Sequence, residues 1–173
     1  MLDKPPTHQE RLQGKGHLAG YSGSPSASKK EPEADAGEAS CPAFGYLRGI
    51  RDQSTSIEFR FLSGNSTWFS YGSLGAWWYN PSEGLLLKFS SDLVYLVLIR
   101  GSNLDKPLGD GNIDLLHAGL QRHRVLWIRE MSEDDKTKVG ESGPTIDSIN
   151  IVEFESNAEL KEWLGKTAGG FLQ

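Results

Sequence analysis

Apolar and polar residues begin to alternate about one third of the way along the chain, and this pattern predicts the first strands of a β domain. Residues 57–62 (IEFRFL) place apolar side chains at every second position over most of the run, which is typical of a strand with one buried face. Residues 63–66 (SGNS) favour a tight turn, and residues 67–71 (TWFSY) return to β-prone types. We therefore predict a β-hairpin.

Three further apolar runs, separated by short polar breaks, extend the predicted sheet. Residues 74–79 (LGAWWY) and 85–89 (LLLKF) flank a turn that contains Asn, Pro and Gly, which predicts a second hairpin. Residues 93–99 (LVYLVLI) are apolar on both alternations, as in a central strand covered on both faces. Five strands joined by short turns predict an antiparallel meander.

A helical period follows the meander. Apolar residues recur at intervals of three and four between Ile113 and Leu120, which predicts an amphipathic helix over 112–123. Either Asp110 or Asn112 can accept the free N–H groups of its first turn, and basic residues stand at its C-terminal end, as the helix dipole favours. We expect this helix to pack on one face of the sheet.

The rest of the chain predicts a strand, a loop and a final strand–helix pair. Residues 125–128 (VLWI) predict a strand, whereas residues 131–147 are polar and acidic and predict a solvated loop. Residues 148–155 (SINIVEFE) predict one more strand, and residues 157–165 predict a short helix. So short a pair is not expected to be stable alone, and the pattern leaves open whether it packs on the main domain.

Composition divides the chain into four segments. Residues 1–43 are rich in Gly, Ser, Pro, Ala, Lys and Glu without a hydrophobic period, and they predict a disordered tail. A β-rich domain is expected over 44–130, followed by the acidic loop of 131–147 and a C-terminal strand–helix segment, 148–173. The expected fold class is α+β, with an antiparallel curled sheet or small barrel of about five to six strands and one packed helix.

Charge is also unevenly distributed. The chain has a formal net charge of −5, and residues 131–173 hold nine of the 23 acidic residues but four of the 18 basic ones. Residues 44–130, with nine basic and eight acidic residues, are close to neutral. A neutral core lacks the long-range field that favours a nucleic-acid backbone, so nucleic acid is a less favoured partner than protein.

Cys41 is the one cysteine, which excludes an intramolecular disulfide and a cysteine-rich metal site. A lone cysteine without a nearby histidine pattern is typical of an inert thiol. The longest apolar run, 93–99, is too short to span a bilayer, and the N-terminus lacks the apolar core of a signal peptide. The chain is therefore predicted to be cytoplasmic and without a membrane partner.

The most promising cluster for a metal ion is Asp110, Asp114 and His117, which share one stripe of the predicted helix. The same stripe carries Gln121 and Arg124, and an arginine over a cation site is unfavourable, so we interpret the stripe as a solvated face. No nucleophile elbow or dinucleotide-binding glycine motif occurs in the context it needs. We predict no catalytic residue, cofactor or metal, which favours a non-enzymatic role.

Aromatic residues crowd into the second and third predicted strands, with arginines on flanking strands. Such side chains most often fill a core, because a small β domain depends on their buried area. If they lie on the surface, Trp and Arg are the residue types that most often contribute binding energy. The candidate binding residues are Trp68, Trp78, Tyr71, Arg60 and Arg100.

The order of several short motifs supports a resemblance. These motifs are residues 57–61 (IEFRF), 80–85 (NPSEGL), 99–104 (IRGSNL) and 123–130 (HRVLWIRE). With the apolar helix positions that precede the last of them, they resemble a group of small uncharacterised bacterial proteins with a β-meander and helix core. The resemblance implies a bacterial source and an intact domain over 57–130, but no activity, cofactor or site residue.

Three functions are compatible with these patterns. The preferred one is a non-enzymatic protein-interaction module of the adaptor or antidote type, whose partner is a protein. A single-stranded nucleic-acid binder is the first alternative because aromatic residues and arginine suit exposed bases, although the charge balance argues against it. An enzyme of unrecognised class is the second alternative.

Overall fold

The computed structural model describes residues 37–109, 113–167 and 169–171, and the statements below refer to those residues. They form an α+β fold with two mostly antiparallel sheets, which confirms the predicted class. Neither sheet closes into a barrel, so the barrel alternative is wrong. Sheet A contains, in spatial order, β1 (Glu38–Ser40), β2 (Phe44–Leu47), β8 (Val125–Arg129), β3 (Ser56–Arg60) and β4 (Ser66–Ser70). Sheet B contains β5 (Leu74–Asn80), β6 (Gly84–Ser90), β7 (Val94–Ser102) and β9 (Thr145–Phe154).

The hairpin predicted at the start of the domain is present as β3 and β4. Ile57 pairs with Phe69 in its ladder, and Gly64 adopts a φ of +88° in the connecting turn, where a side chain would be strained. Strand β8 pairs with β3 in parallel and with β2 in antiparallel orientation. Sheet A is therefore mixed, and its two outer strands are β1 and β4.

The five strands of the predicted meander do not share one sheet. The chain leaves sheet A in the 3₁₀ turn Tyr71–Ser73 and enters sheet B, where the next three strands form a shorter meander. The Tyr71 hydroxyl donates a hydrogen bond to the Val125 carbonyl oxygen at 2.9 Å, and its ring stacks on His123 with centroids 4.4 Å apart. These contacts stabilise the corner between the two sheets.

The C-terminal strand is part of sheet B. Strand β9 pairs with β7 from Val94 opposite Phe154 to Ser102 opposite Thr145, along most of both strands. The strand that the pattern predicted at 148–155 thus packs on the main domain as the fourth strand of this sheet.

The main core lies between the inner faces of the two sheets, and aromatic rings join them. The ring of Phe69 in sheet A stacks on Phe89 in sheet B with centroids 4.5 Å apart, and Tyr95 packs edge-on against Phe69 at 5.2 Å. Phe59 lies beside them and is fully buried. Aromatic side chains bury more apolar area than any others, so this contact stabilises the pairing of the sheets strongly.

The helix predicted over 112–123 is shorter than expected. Leu115–Leu120 forms a π-helix whose leucines are buried against the core, while residues 110–112 lie outside the described residues. The carboxylate of Asp114 caps its first turn by accepting hydrogen bonds from the backbone N–H groups three and four residues later. The helix packs on the sheets as predicted, but with a wider turn that no local pattern indicates.

A second helix lies within the predicted acidic loop of 131–147, so the loop prediction is wrong there. Glu133–Val139 forms α1, because the Ser132 hydroxyl accepts a hydrogen bond from the backbone N–H three residues later and caps the first turn. Lys136 bonds to Asp147 and to an acidic side chain of its own helix, and these contacts raise its pKa. Caps and ion pairs stabilise this helix without any buried side chain.

The tail predicted over 1–43 ends earlier than expected. Glu38–Ser40 forms β1 at the edge of sheet A, and Ala43 is fully buried. A strand of three residues is too short to show a hydrophobic period, which is why the pattern missed it. Residues 1–36 lie outside the described residues, and their disorder stays a prediction.

The last helix, α2 (Asn157–Thr167), covers part of the outer face of sheet B. Its Leu160 and Leu164 pack with Leu86 and Phe171 in a second, smaller core. In the described part of the chain, no helix is both long enough and apolar enough to cross a bilayer.

The carboxylate of Glu130 connects the two sheets. One oxygen accepts a hydrogen bond from the Leu62 N–H, just after β3 of sheet A, at 2.9 Å. The other accepts from the Ile149 N–H, in β9 of sheet B, at 2.8 Å. Hydrogen bonds to an ionised acceptor are stronger than those between neutral groups, so this side chain stabilises the arrangement of the sheets directly.

We predict that Glu130→Ala lowers the free energy of unfolding by about 1–2 kcal/mol, because two backbone N–H groups lose their acceptor. Urea unfolding at neutral pH measures the change. Glu141→Ala, at an exposed position, is the control and should leave stability within about 0.5 kcal/mol. Equal stability of the two variants would contradict a bridging role for Glu130.

Candidate functional site

The outer face of sheet A carries a row of side chains set by strand register. Glu58 of β3 lies opposite Trp68 of β4 on one side and opposite Trp127 of β8 on the other. Trp127 in turn lies opposite Gly45 of β2. Because alternate residues of a strand point to opposite faces, burial of Ile57 and its partners on the inner face directs this row outward.

Glu58, Arg60, Trp68 and Trp127 are called the tryptophan face below. The Arg60 guanidinium lies over the Trp127 ring, 4.5 Å from its centroid, which is a favourable cation–π geometry. The other neighbour of this ring is Gly45, where any Cβ would overlap the indole. The missing side chain of Gly45 therefore lets Trp127 lie against the strand beside it.

Arg60 and Glu58 form a double hydrogen bond on the same face. The Arg60 Nε and Nη2 atoms lie 2.8 and 2.7 Å from one oxygen of Glu58. Hydrogen bonding from Arg60, assisted by Ser66 and by the arginine charge, holds the pKa of Glu58 below its usual range against a smaller opposing effect of burial. The two charges neutralise one another, so the centre of the tryptophan face is polar but has no net charge.

The exposed apolar part of the face is on the β3–β4 hairpin. Trp68 is 61% exposed and Leu62, in the turn, is 59% exposed. Large apolar side chains with this exposure are unfavourable in water and often mark a contact surface. Arg129, on the neighbouring strand, is paired with Asp135, so it adds no free charge nearby.

Strand β4 is an outer strand of sheet A, and one of its backbone edges has no neighbouring strand among the described residues. The Phe61 N–H donates to the Asn65 carbonyl oxygen, and the Tyr71 N–H donates to the Thr55 carbonyl oxygen. The odd-numbered residues of this segment therefore direct their backbone N–H and C=O groups toward β3. In an antiparallel ladder the residues between them point their backbone groups the other way. The N–H and C=O groups of Ser66 and Trp68 and the N–H of Ser70 therefore face this edge, whereas the Ser70 carbonyl oxygen accepts a hydrogen bond from the Ser73 hydroxyl.

The structure brings together two of the five predicted binding residues. Trp68 and Arg60 share the tryptophan face, whereas Trp78 and Arg100 belong to strands of sheet B. Tyr71 is buried at the sheet corner, and burial raises the pKa of its hydroxyl. Its inclusion in a binding surface is wrong, because its ring and hydroxyl contact core elements of this chain.

Trp127 and Glu58 are the residues of the face that the sequence did not single out. Trp127 lies in a run that is apolar at every position, so alternation could not separate its inner from its outer side chains. Glu58 could have been identified from the sequence, because it is charged and stands two residues before Arg60 on the same face of a predicted strand.

The helix stripe considered for a metal ion has a structural role. The carboxylate of Asp114 is engaged in capping the π-helix, and Asp110 lies outside the described residues. Within the described ranges no three His, Cys, Asp or Glu side chains come close enough to hold a metal ion. Burial raises the pKa of the Cys41 thiol, which keeps it in the less reactive protonated form.

Comparison with known proteins adds no further assignment. No protein-family model, curated protein or solved structure matches the chain. The interpretation of the tryptophan face accordingly depends on its own geometry.

The bond between Arg60 and Glu58 predicts an acid-dependent contribution to stability. A carboxyl whose pKa is lower in the folded than in the unfolded chain, where it is about 4.3, stabilises the fold above that value. The contribution is lost as pH falls through the folded pKa. We predict that Arg60→Gln lowers the free energy of unfolding more at pH 7 than at pH 2.5. The difference between the two pH values should be below about 1 kcal/mol, because the pair is partly exposed.

Urea unfolding at the two pH values measures this difference, and an NMR titration of the Glu58 carboxyl carbon should show its pKa rising in the variant. In Glu58→Gln the pH-dependent part should disappear, while the contact of Arg60 with Trp127 stays. An unchanged Glu58 titration in Arg60→Gln would contradict the assigned cause of the pKa shift.

Proposed function

We propose that the protein is a cytoplasmic, non-enzymatic interaction module that binds an extended segment of a partner protein along β4. The observation that supports this most is the backbone edge of β4, which pairs with no described strand and lies beside the exposed Trp68. The partner strand would extend sheet A, with main-chain hydrogen bonds supplying affinity and side-chain contacts supplying specificity. Such a role suits an adaptor or an antidote.

The edge of β4 has the features that strand addition needs. Ser66 and Trp68 offer N–H and C=O groups and Ser70 offers its N–H, at every second residue and in register with an extended chain. The Ser70 carbonyl oxygen already accepts a hydrogen bond from the Ser73 hydroxyl. Unpaired edges are usually protected in soluble proteins by inward-pointing charges, prolines or bulges. Residues 66–70 (STWFS) contain none of these features, and their ladder with β3 is regular.

The chemistry of the face limits the partner. Arg60 on the face and Arg129 beside it are both bonded to carboxylates of this chain, so the surface has little free positive charge for phosphate groups. Trp68 and Leu62 instead favour a partner segment with apolar side chains at alternate positions. An uncharged, extended peptide segment therefore fits better than single-stranded nucleic acid, which is retained as the alternative because Trp68 can stack on a base.

The test uses peptides selected from a displayed library of random linear sequences for binding to the wild-type protein. We predict that Trp68→Ala weakens binding of the selected peptides about 30-fold, the ~2 kcal/mol typical of an aromatic hot spot. Binding should also slow hydrogen exchange at the amides of Ser66, Trp68 and Ser70. Ile50→Ala is the matched control, since Ile50 is 70% exposed but lies outside the face.

A second pair of variants tests the backbone rather than the side chain. Ser70 has a φ of −71°, which proline can adopt, so Ser70→Pro removes an outward N–H without changing the backbone. Ser70→Ala removes the hydroxyl and keeps that N–H. Weaker peptide binding in Ser70→Pro than in Ser70→Ala would support strand addition.

Three results would overturn the proposal. One is peptide binding that Trp68→Ala and Ser70→Pro leave unchanged. Another is salt-dependent binding of an oligothymidine that Trp68→Ala abolishes, which would favour the nucleic-acid alternative. The third is a dimer of this chain that Trp68→Ala dissociates, which would show that a second copy occupies the edge.

A further inference from the structure

A groove remains on the outer face of sheet B beside α2. Helix α2 crosses this face, and on the side of β7 and β9 it leaves a cavity of about 270 Å³. The lining residues are Glu83, Leu96, Leu98, Arg100, Asn150, Val152, Trp163 and Phe171. These residues are called the sheet B groove below.

Strand alternation makes the floor of the groove apolar. Leu96 and Leu98 of β7 share the outer face, and Val152 of β9 lies directly opposite Leu96. Trp163 of α2 forms one wall and packs edge-on against a neighbouring phenylalanine with centroids 5.7 Å apart. An apolar floor and an aromatic wall suit a hydrocarbon or aryl group.

The opposite wall is held by a specific hydrogen bond. The Asn80 side-chain amide donates to the Gly170 carbonyl oxygen at 2.9 Å, and this contact fixes the 3₁₀ turn Gly169–Phe171 against sheet B. Phe171 is consequently buried against the sheet. The groove is thus built from elements that are packed on one another.

Arg100 gives the groove a cationic end. It follows Leu98 on the same face of β7 and is exposed. Among the residues that the structure describes, the Arg100 side chain makes no hydrogen bond or ion pair, whereas those of Arg60 and Arg129 are both bonded to carboxylates. A guanidinium group that has no carboxylate partner and lies beside an apolar cavity is complementary to a planar anion.

We propose that the sheet B groove binds a small amphipathic monocarboxylate. The hydrocarbon part lies on Leu96, Leu98 and Val152, and the carboxylate accepts hydrogen bonds from Arg100 and from the side-chain amide of Asn150. Glu83 at the same site disfavours a dianion such as a phosphate monoester, since two negative charges would face its carboxylate. The volume of about 270 Å³ is slightly below the usual range for ligand sites, so a short or medium chain fits better than a long fatty acid.

The first test is a series of straight-chain carboxylates, from butanoate to octanoate, titrated into the full chain and followed by calorimetry and NMR. We predict that each added methylene tightens binding about fourfold until the cavity is filled, the ~0.8 kcal/mol expected for one buried CH₂. Hexanol should bind about tenfold more weakly than hexanoate because it lacks the charge that Arg100 bonds.

Variants distinguish this site from its surroundings. Arg100→Gln should reduce hexanoate affinity to that of hexanol and leave hexanol unaffected, while Val152→Phe should fill the cavity and weaken both ligands. Arg122→Gln, at another exposed arginine, is the control for loss of positive charge. Lys161→Gln tests the groove on the other side of α2, where this lysine lies near Trp78, and should have no effect.

The proposal is overturned if none of the carboxylates binds, or if Arg100→Gln binds hexanoate as tightly as the wild type. It is also overturned if Lys161→Gln, rather than Arg100→Gln, removes binding. Thermal unfolding of each free variant shows that it is folded. The peptide-binding variants Trp68→Ala and Ser70→Pro should bind hexanoate normally, so the two proposals can fail separately.

Discussion

The stacking of Phe69 on Phe89 is the contact on which the rest of the structure depends. It joins the inner face of sheet A to the inner face of sheet B, with 4.5 Å between ring centroids. Because side chains alternate along a strand, the choice of inner residues also decides which residues point outward. The tryptophan face on one sheet and the groove on the other are both consequences of this core.

The sequence predicts those parts of the fold that depend on neighbouring residues. The hairpin of β3 and β4 follows from strict alternation and from four turn-forming residues between the strands. The run 93–99 was predicted to be covered on both faces, and Leu96 and Val97 are indeed buried in different cores. Trp68 and Arg60, two of the candidate binding residues, lie on one face because their orientation is set within this hairpin.

The division into two sheets could not be predicted, because it depends on contacts between distant residues. Tyr71 stabilises the corner through Val125, 54 positions later, and Glu130 bonds to Leu62, 68 positions earlier. A continuous series of strands with short turns looks the same whether it forms one sheet or two. For this reason Trp78 and Arg100 were grouped with residues that lie on another sheet.

The two outer faces differ because the chain covers only one of them among the described residues. Helix α2 covers part of sheet B, and β7, which contributes to the cavity beside this helix, changes register between Arg100 and Gly101. A Cβ at Gly101 would overlap the Thr145 carbonyl, so the glycine permits the close approach of β9 at this irregularity. Arg100 stands directly before the register shift, beside the groove, and its side chain has no acidic partner in the described part of the chain. No helix among the described residues covers the outer face of sheet A, and its charges are instead neutralised within the face, which leaves Trp68 and the edge of β4 as the features available to a partner.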